Sequence, residues 1–239
     1  WIACGLAIFT VLFGTRNLNA NERHDGVVIA IAVEAVVKLI ALLAVGIFVV
    51  WWVAGGVGPM MAQIDASEIG QWQMDRSRWV ALTAVSGAAF LCLPRMFQVL
   101  VVENNDERHL QVASWAFPVY LMLMSLFVVP IAVVGLDLLP PGSNPDMFVM
   151  TVPLSQGNDQ LAMLAFIGGF SSATSMVIVA TLALSTMLSN HVVMPIWLST
   201  RAESASVSGD VRSVVIFARR ASILLIIALG YLYFQLSGG

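Results

Sequence analysis

Apolar residues run through this chain in blocks of around twenty, each closed by charges or turn residues, and that pattern predicts membrane-crossing helices. Taking those closures as boundaries leaves about six segments, at roughly 2–14, 27–54, 79–102, 112–136, 160–189 and 213–236. In hydrocarbon every backbone amide and carbonyl must be satisfied within the protein, and Leu/Val/Ala/Met-rich segments of this length achieve that as helices. Barrel strands would instead read as alternating runs of about ten residues, a pattern this sequence lacks. The expected architecture is therefore an all-α membrane protein with about six transmembrane helices in one membrane domain spanning 1–239. The chain opens at Trp1 with no initiator Met, charged leader or cleavage site, and closes on Gly238-Gly239 directly after an apolar run. Both ends lead to the expectation of a fragment whose N- and C-terminal neighbours are missing.

Composition sharpens this picture. Hydrophobic residues make up 59% and charged residues 10% of the 239 positions, against roughly 45–50% and about 25% in soluble domains. The net charge of −3 and the lack of a Lys/Arg run leave no basic surface for nucleic acid. Cys4 and Cys92 sit inside apolar runs without metal-ligand spacing, so they read as small buried hydrophobes. His24, His109 and His191 fall at span boundaries without ligand-type spacing and are assigned no role. No nucleophile–base constellation, phosphate-binding glycine loop or kinase motif is present, so the chain is not expected to be an enzyme.

Positive charge orients the spans. The first, third and fifth loops carry Arg16 and Arg23, Arg108, and Arg201 with Arg212 at its edge, whereas the second holds Arg76 and Arg78 and the fourth none. The odd loops are thus expected in the cytoplasm. The fourth, with Asp137, Asp146 and Asp159 among Pro140, Pro141, Gly142 and Pro145, is expected to be an external irregular segment.

Three places hold candidate chemistry. Pro94, in Cys92-Leu93-Pro94-Arg95, removes a backbone donor, so the third span should kink or unwind near 88–94. That is either an ordinary proline kink or an interrupted helix of the kind transporters use to bind ions and solutes. The fifth span carries Gly168-Gly169-Phe170-Ser171-Ser172-Ala173-Thr174-Ser175, with Ser171 and Ser175 on one face and Thr174, Thr181, Ser185 and Ser189 on a second stripe. Hydroxyls suit a hard cation, and they equally suit close helix packing. Glu34 and Lys38, four apart within the second span, form an intrahelical pair that marks either a gate or pathway element or the inner membrane interface.

Together these stretches resemble the sodium:solute symporter family, whose members share the leucine-transporter fold of two inverted five-helix repeats. Ala7 through Gly14 is similar to an apolar helix ending in a Gly turn. Glu34 resembles the acidic residue that opens the next helix, Phe90 through Phe97 the interrupted sixth core helix, and Met176 through His191 the eighth. The likeness is greatest to the symporter-like N-terminal membrane domain of sensor histidine kinases. It is carried by Phe13-Gly14-Thr15-Arg16 through His24, Cys92-Leu93-Pro94-Arg95 through Asn104, and Ala183 through Asn190. On this resemblance the chain covers core helices four to nine of the inverted-repeat bundle.

The resemblance implies a sodium- or proton-coupled unit that binds or carries a small nutrient, as the sensory input of a histidine kinase in cis. Alternatives are a free-standing symporter and a transport-dead receptor. A sodium ion would be held near Ser172 and Ser175, with Ser171 and Thr174 as neighbours, and Ser189 should matter little to it. Where many symporters have two adjacent hydroxyls, Ser175 is followed here by Met176, which removes one oxygen ligand. The substrate-facing positions map to Ser86, Ala89, Phe90, Leu93 and Pro94, a set better matched to an amino acid or small organic nutrient than to a sugar. The implied setting is a bacterial inner membrane crossed several times, with lipid around it and no organic cofactor.

Overall fold

The computed structural model describes residues 5, 7–8, 10–11, 25–71, 75–104, 106–201 and 211–237. Among these the regular elements are all helical, with no strand. Four stretches of the described residues are long and apolar enough to cross a membrane: Val28–Val53, Arg108–Leu138, Asp159–Trp197 and Val214–Leu236. They coincide with the second, fourth, fifth and sixth apolar segments, and the chain is an all-helical, multi-pass membrane protein. Most of the first segment, and the loop bearing Arg16, Arg23 and His24, lie outside the described residues, as do Cys4 and the side chains of Arg201 and Arg212.

In chain order, helix α1 is Asp25–Phe48, followed by a wider π turn at Val49–Val53. Two short helices follow, α2 (Val57–Ala66) and α3 (Glu68–Gln71). The third apolar segment is divided between α4 (Arg76–Cys92) and α5 (Pro94–Phe97), the latter running into a π turn at Gln98–Val102. Leu93 alone separates α4 from α5. Proline at the first position of a helix needs no N–H, so Pro94 starts α5 comfortably where it could not continue α4. Backbone pairing persists on both sides: the Leu93 N–H donates to the Ala89 carbonyl at 3.0 Å and the Phe97 N–H to the Leu93 carbonyl at 3.2 Å. The interruption therefore lies within the predicted window and is one residue wide.

The fourth segment is also divided, into α6 (Arg108–Ser125) and α7 (Val128–Leu138), with a turn at Leu126 and Phe127. Pro130 accounts for it, because it has no N–H to donate to the Leu126 carbonyl one turn earlier. Next come α8 (Phe148–Ser155), preceded by a tight turn of helix at Pro145–Met147, and α9 (Asp159–Leu188) with a π turn at Ser189–Val193. The last two helices are α10 (Met194–Arg201) and α11 (Val211–Leu236).

The contacts divide the chain into two compact units. In the unit made of Gly26–Ala88 and Asn104–Ala173, a core gathers Val45 from the end of α1 and Val49 from the π turn after it, Met60 from α2, Ile131 and Val134 from α7, Phe148 and Val152 from α8, and Ala165 from α9. The fourth loop is thus corrected in its backbone: it is helical over Pro145–Ser155 and buries Phe148, Val152 and Pro153 rather than running as an irregular segment. Gly135 permits this docking, since a Cβ there would run into the Phe148 ring. The Gln63 side-chain amide adds a bond from α2 to the Asp137 carboxylate at the end of α7, at 2.7 Å. Much of the spans' surface remains apolar and exposed, as at Val33, Val36 and Ile40 of α1. Lipid solvates such faces as well as protein does, so interior packing concentrates where loop segments fold back over helix ends.

The other unit comprises Trp1–Asp25, Ala89–Glu103 and Thr174–Gly239. Its described interior sets small residues, Ala183, Ser185 and Ser189 on α9 and its π turn and Ala218 and Ser222 on α11, around the fully buried Ile223 of α11. The π turn packs against α11. Thr181, Ser185 and Ser189 are all buried, which makes that part of the hydroxyl stripe a packing face. Ser185 returns its hydroxyl to the Leu182 carbonyl at 2.9 Å, the local bond that serine makes inside helices.

Candidate functional site

Glu34 and Lys38 sit one turn apart on α1, with 3.8 Å between the Lys38 Nζ and a Glu34 carboxylate oxygen. The carboxylate is 7% exposed and the lysine 31%, so this pair lies well inside the unit on the Glu34 side. The Lys38 ammonium also donates to the Ser172 hydroxyl on α9, at 3.2 Å. That contact joins positions 134 residues apart. Nearby, the Tyr120 hydroxyl of α6 donates to the Ala35 carbonyl at 3.2 Å, fixing α1 beside Glu34.

Gly168 explains how α1 and α9 come this close. A Cβ at that position would lie 2.9 Å from the Ala41 Cβ and 3.5 Å from the Lys38 Cα, so the absent side chain is what admits the neighbouring helix. Ser172 follows Gly168 by one helical turn and therefore falls on the same face. The lysine thus reaches a hydroxyl whose position a glycine has set.

A cavity of about 380 Å³ adjoins this contact. Its wall takes Lys38, Ala41 and Leu42 from α1, Met124 from α6, Asp146 and Met147 from the turn before α8, Val149 and Met150 from α8, and Ala165, Phe166, Gly168, Gly169 and Phe170 from α9. Phe166 and Phe170 stack with ring centroids 5.8 Å apart. The lining is mostly apolar, with Lys38 and Asp146 as its charged members. Opposite charges on an apolar wall are suited to a small zwitterion, and methionines conform to varied apolar groups.

The hydroxyls expected to hold an ion, Ser171, Ser172, Thr174 and Ser175, lie on one continuous helix, α9, and are each half-buried. Ser172 is drawn to Lys38; Ser171, Thr174 and Ser175 have interactions of their own. A hard cation of sodium's size sits about 2.3–2.6 Å from its oxygens, so a sodium ion on Ser172 would lie beside the ammonium already bound there. Like charges at that separation repel strongly away from bulk water. With Lys38 in place, the Ser172 hydroxyl does not fit a sodium ion. Met176 is 50% exposed and supplies no replacement oxygen.

The positions expected to face solute have a different setting. Ser86 is exposed, Phe90 and Leu93 are 36% and 42% exposed, and Ala89 and Pro94 are half-buried. The cavity is lined by another set of residues, of which the sequence reading named Lys38, Asp146, Gly168, Gly169 and Phe170 without assigning them to one site. A signal was present: paired glycines beside Phe166 and Phe170 announce a close helix approach flanked by aromatic walls. Asp146 was hidden by its Pro/Gly-rich surroundings, which read as an irregular loop. Comparisons with protein families, curated proteins and solved structures returned no match for this chain.

Proposed function

We propose that this chain is a symporter-like membrane unit that binds a small zwitterionic nutrient, such as an amino acid with an apolar side chain. The observation that carries the reading is the apolar cavity with Lys38 and Asp146 on its wall. The ligand's carboxylate pairs with the lysine, its ammonium with the aspartate, and its side chain lies among the methionines and the Phe166–Phe170 stack. The residue-level resemblance supports the wider assignment: core helices four to nine of a leucine-transporter-like inverted repeat, about six spans, and odd-numbered loops in the cytoplasm of a bacterial inner membrane. It also supports a place as the sensory input of a histidine kinase. The interrupted helix around Leu93, with Ser86, Ala89, Phe90 and Pro94, is the solute-facing surface on that resemblance alone.

The test is saturable binding of radiolabelled leucine to the purified full chain, followed by uptake into proteoliposomes. Asp146→Asn should weaken leucine binding by about tenfold, the loss of about 1.4 kcal/mol expected for one ligand ion pair. No saturable binding of leucine, or binding unchanged by Asp146→Asn and lost with Phe90→Ala, would remove the cavity from the reading. The contact between Lys38 and Ser172 favours a second reading, a receptor that retains the solute site without ion-driven transport. Binding without uptake would select it over a free-standing symporter.

A further inference from the structure

We infer that the Lys38 ammonium is a tethered cation standing where a symporter of this kind would bind sodium, so that solute binding here needs no sodium. The inference rests on the proposed symporter-like reading and changes its ion requirement. Its basis is geometric: the ammonium is 3.2 Å from the Ser172 hydroxyl and 3.8 Å from the Glu34 carboxylate, and so lies between a neutral oxygen and an anionic one. Those two oxygens are the donor types that a monovalent hard cation takes from protein. Glu34 is 7% exposed, and a buried carboxylate requires a compensating positive charge. The chain supplies that charge from α1 itself, one turn beyond the carboxylate.

Asp146 is the other charged residue on the adjoining cavity, and Tyr120 faces the same stretch of α1 through the Ala35 carbonyl. Gly168 holds the α9 backbone near the Lys38 Cα, which keeps the lysine and its hydroxyl partner together. Removing the ammonium takes away the cation that Ser172 and Glu34 share and lets sodium compete for its place. The native protein should therefore be indifferent to sodium, and a variant lacking the lysine should respond to it.

The experiment compares thermal unfolding and leucine binding of the full chain in sodium chloride and in choline chloride at equal ionic strength. For the native chain both should agree in the two salts. For Lys38→Ala, sodium should raise the Tm by about 2–4 °C over choline, the shift for about 1 kcal/mol of cation binding to a domain of this size. The charge-free Glu34→Gln/Lys38→Ala double variant should lose that response. Sodium-specific stabilisation or sodium-dependent leucine binding in the native chain would overturn the inference, and so would a folded Lys38→Ala variant unaffected by sodium. Should Lys38→Ala fail to fold, the native chain's salt comparison decides alone. Absence of leucine binding in either salt would instead count against the cavity reading and leave the unfolding comparison to judge the lysine.

Discussion

The Lys38 ammonium and the Ser172 hydroxyl meet at 3.2 Å across two helices that the chain separates by 134 residues. One bond thereby ties an acid–base pair on α1 to the hydroxyl cluster on α9. The glycine one turn before Ser172 makes the approach sterically possible.

Removing the acceptor should weaken this junction measurably. Ser172→Ala should lower stability by about 1 kcal/mol, below the range for bonds to charged groups because Lys38 is partly exposed. Thermal unfolding of the purified chain in detergent checks this, and a change indistinguishable from zero would mean that water replaces the hydroxyl.

Adjacent glycines should behave oppositely. Gly168→Val places a branched side chain against Ala41 and should cost about 1–3 kcal/mol by overpacking, with loss of leucine binding as α1 and α9 part. Gly169 has no neighbouring atom within 4 Å of a built Cβ, so Gly169→Ala should be neutral or should gain up to about 1 kcal/mol of helix propensity. Equal losses at both positions would argue against a helix contact made through Gly168.

Ser189 is fully buried and its hydroxyl has no hydrogen-bond partner among the described residues. Replacing it by alanine removes an unsatisfied polar group, so Ser189→Ala should leave stability unchanged or raise it by about 1 kcal/mol. A marked loss would show that the hydroxyl is satisfied by bound water.

Phe148 closes the core from α8 against Gly135 of α7. Phe148→Ala should destabilise the unit by about 3–5 kcal/mol, the range for truncating a buried aromatic side chain. Proteolytic sensitivity should rise first between Leu139 and Asn158. Protection unchanged there would mean that α8 holds its place without the ring.

Much of the architecture was legible because it depends on local composition. A run of twenty apolar residues specifies a membrane helix whatever its neighbours are, and Pro94 interrupts α4 through its own missing N–H. Pro130 carried the same signal within 112–136, yet the segment reads as one span because uninterrupted hydrophobicity masks a single-turn break. The fourth loop misled for the converse reason. Pro140, Pro141, Gly142 and Pro145 mark irregular backbone, whereas Phe148 and Val152 find burial through contacts with α1 and α7 that sequence spacing does not display.

The site divides along the same line. The sequence by itself determined that Glu34 and Lys38 share one face of a helix and that Ser171, Ser172, Thr174 and Ser175 share one span, because a 3.6-residue period is a local property. Only the tertiary structure decided that Lys38 turns to Ser172, that Asp146 reaches the same cavity, and that Ser189 is sealed inside. Those outcomes depend on which helix faces approach one another, and that is settled by packing between residues far apart in the chain.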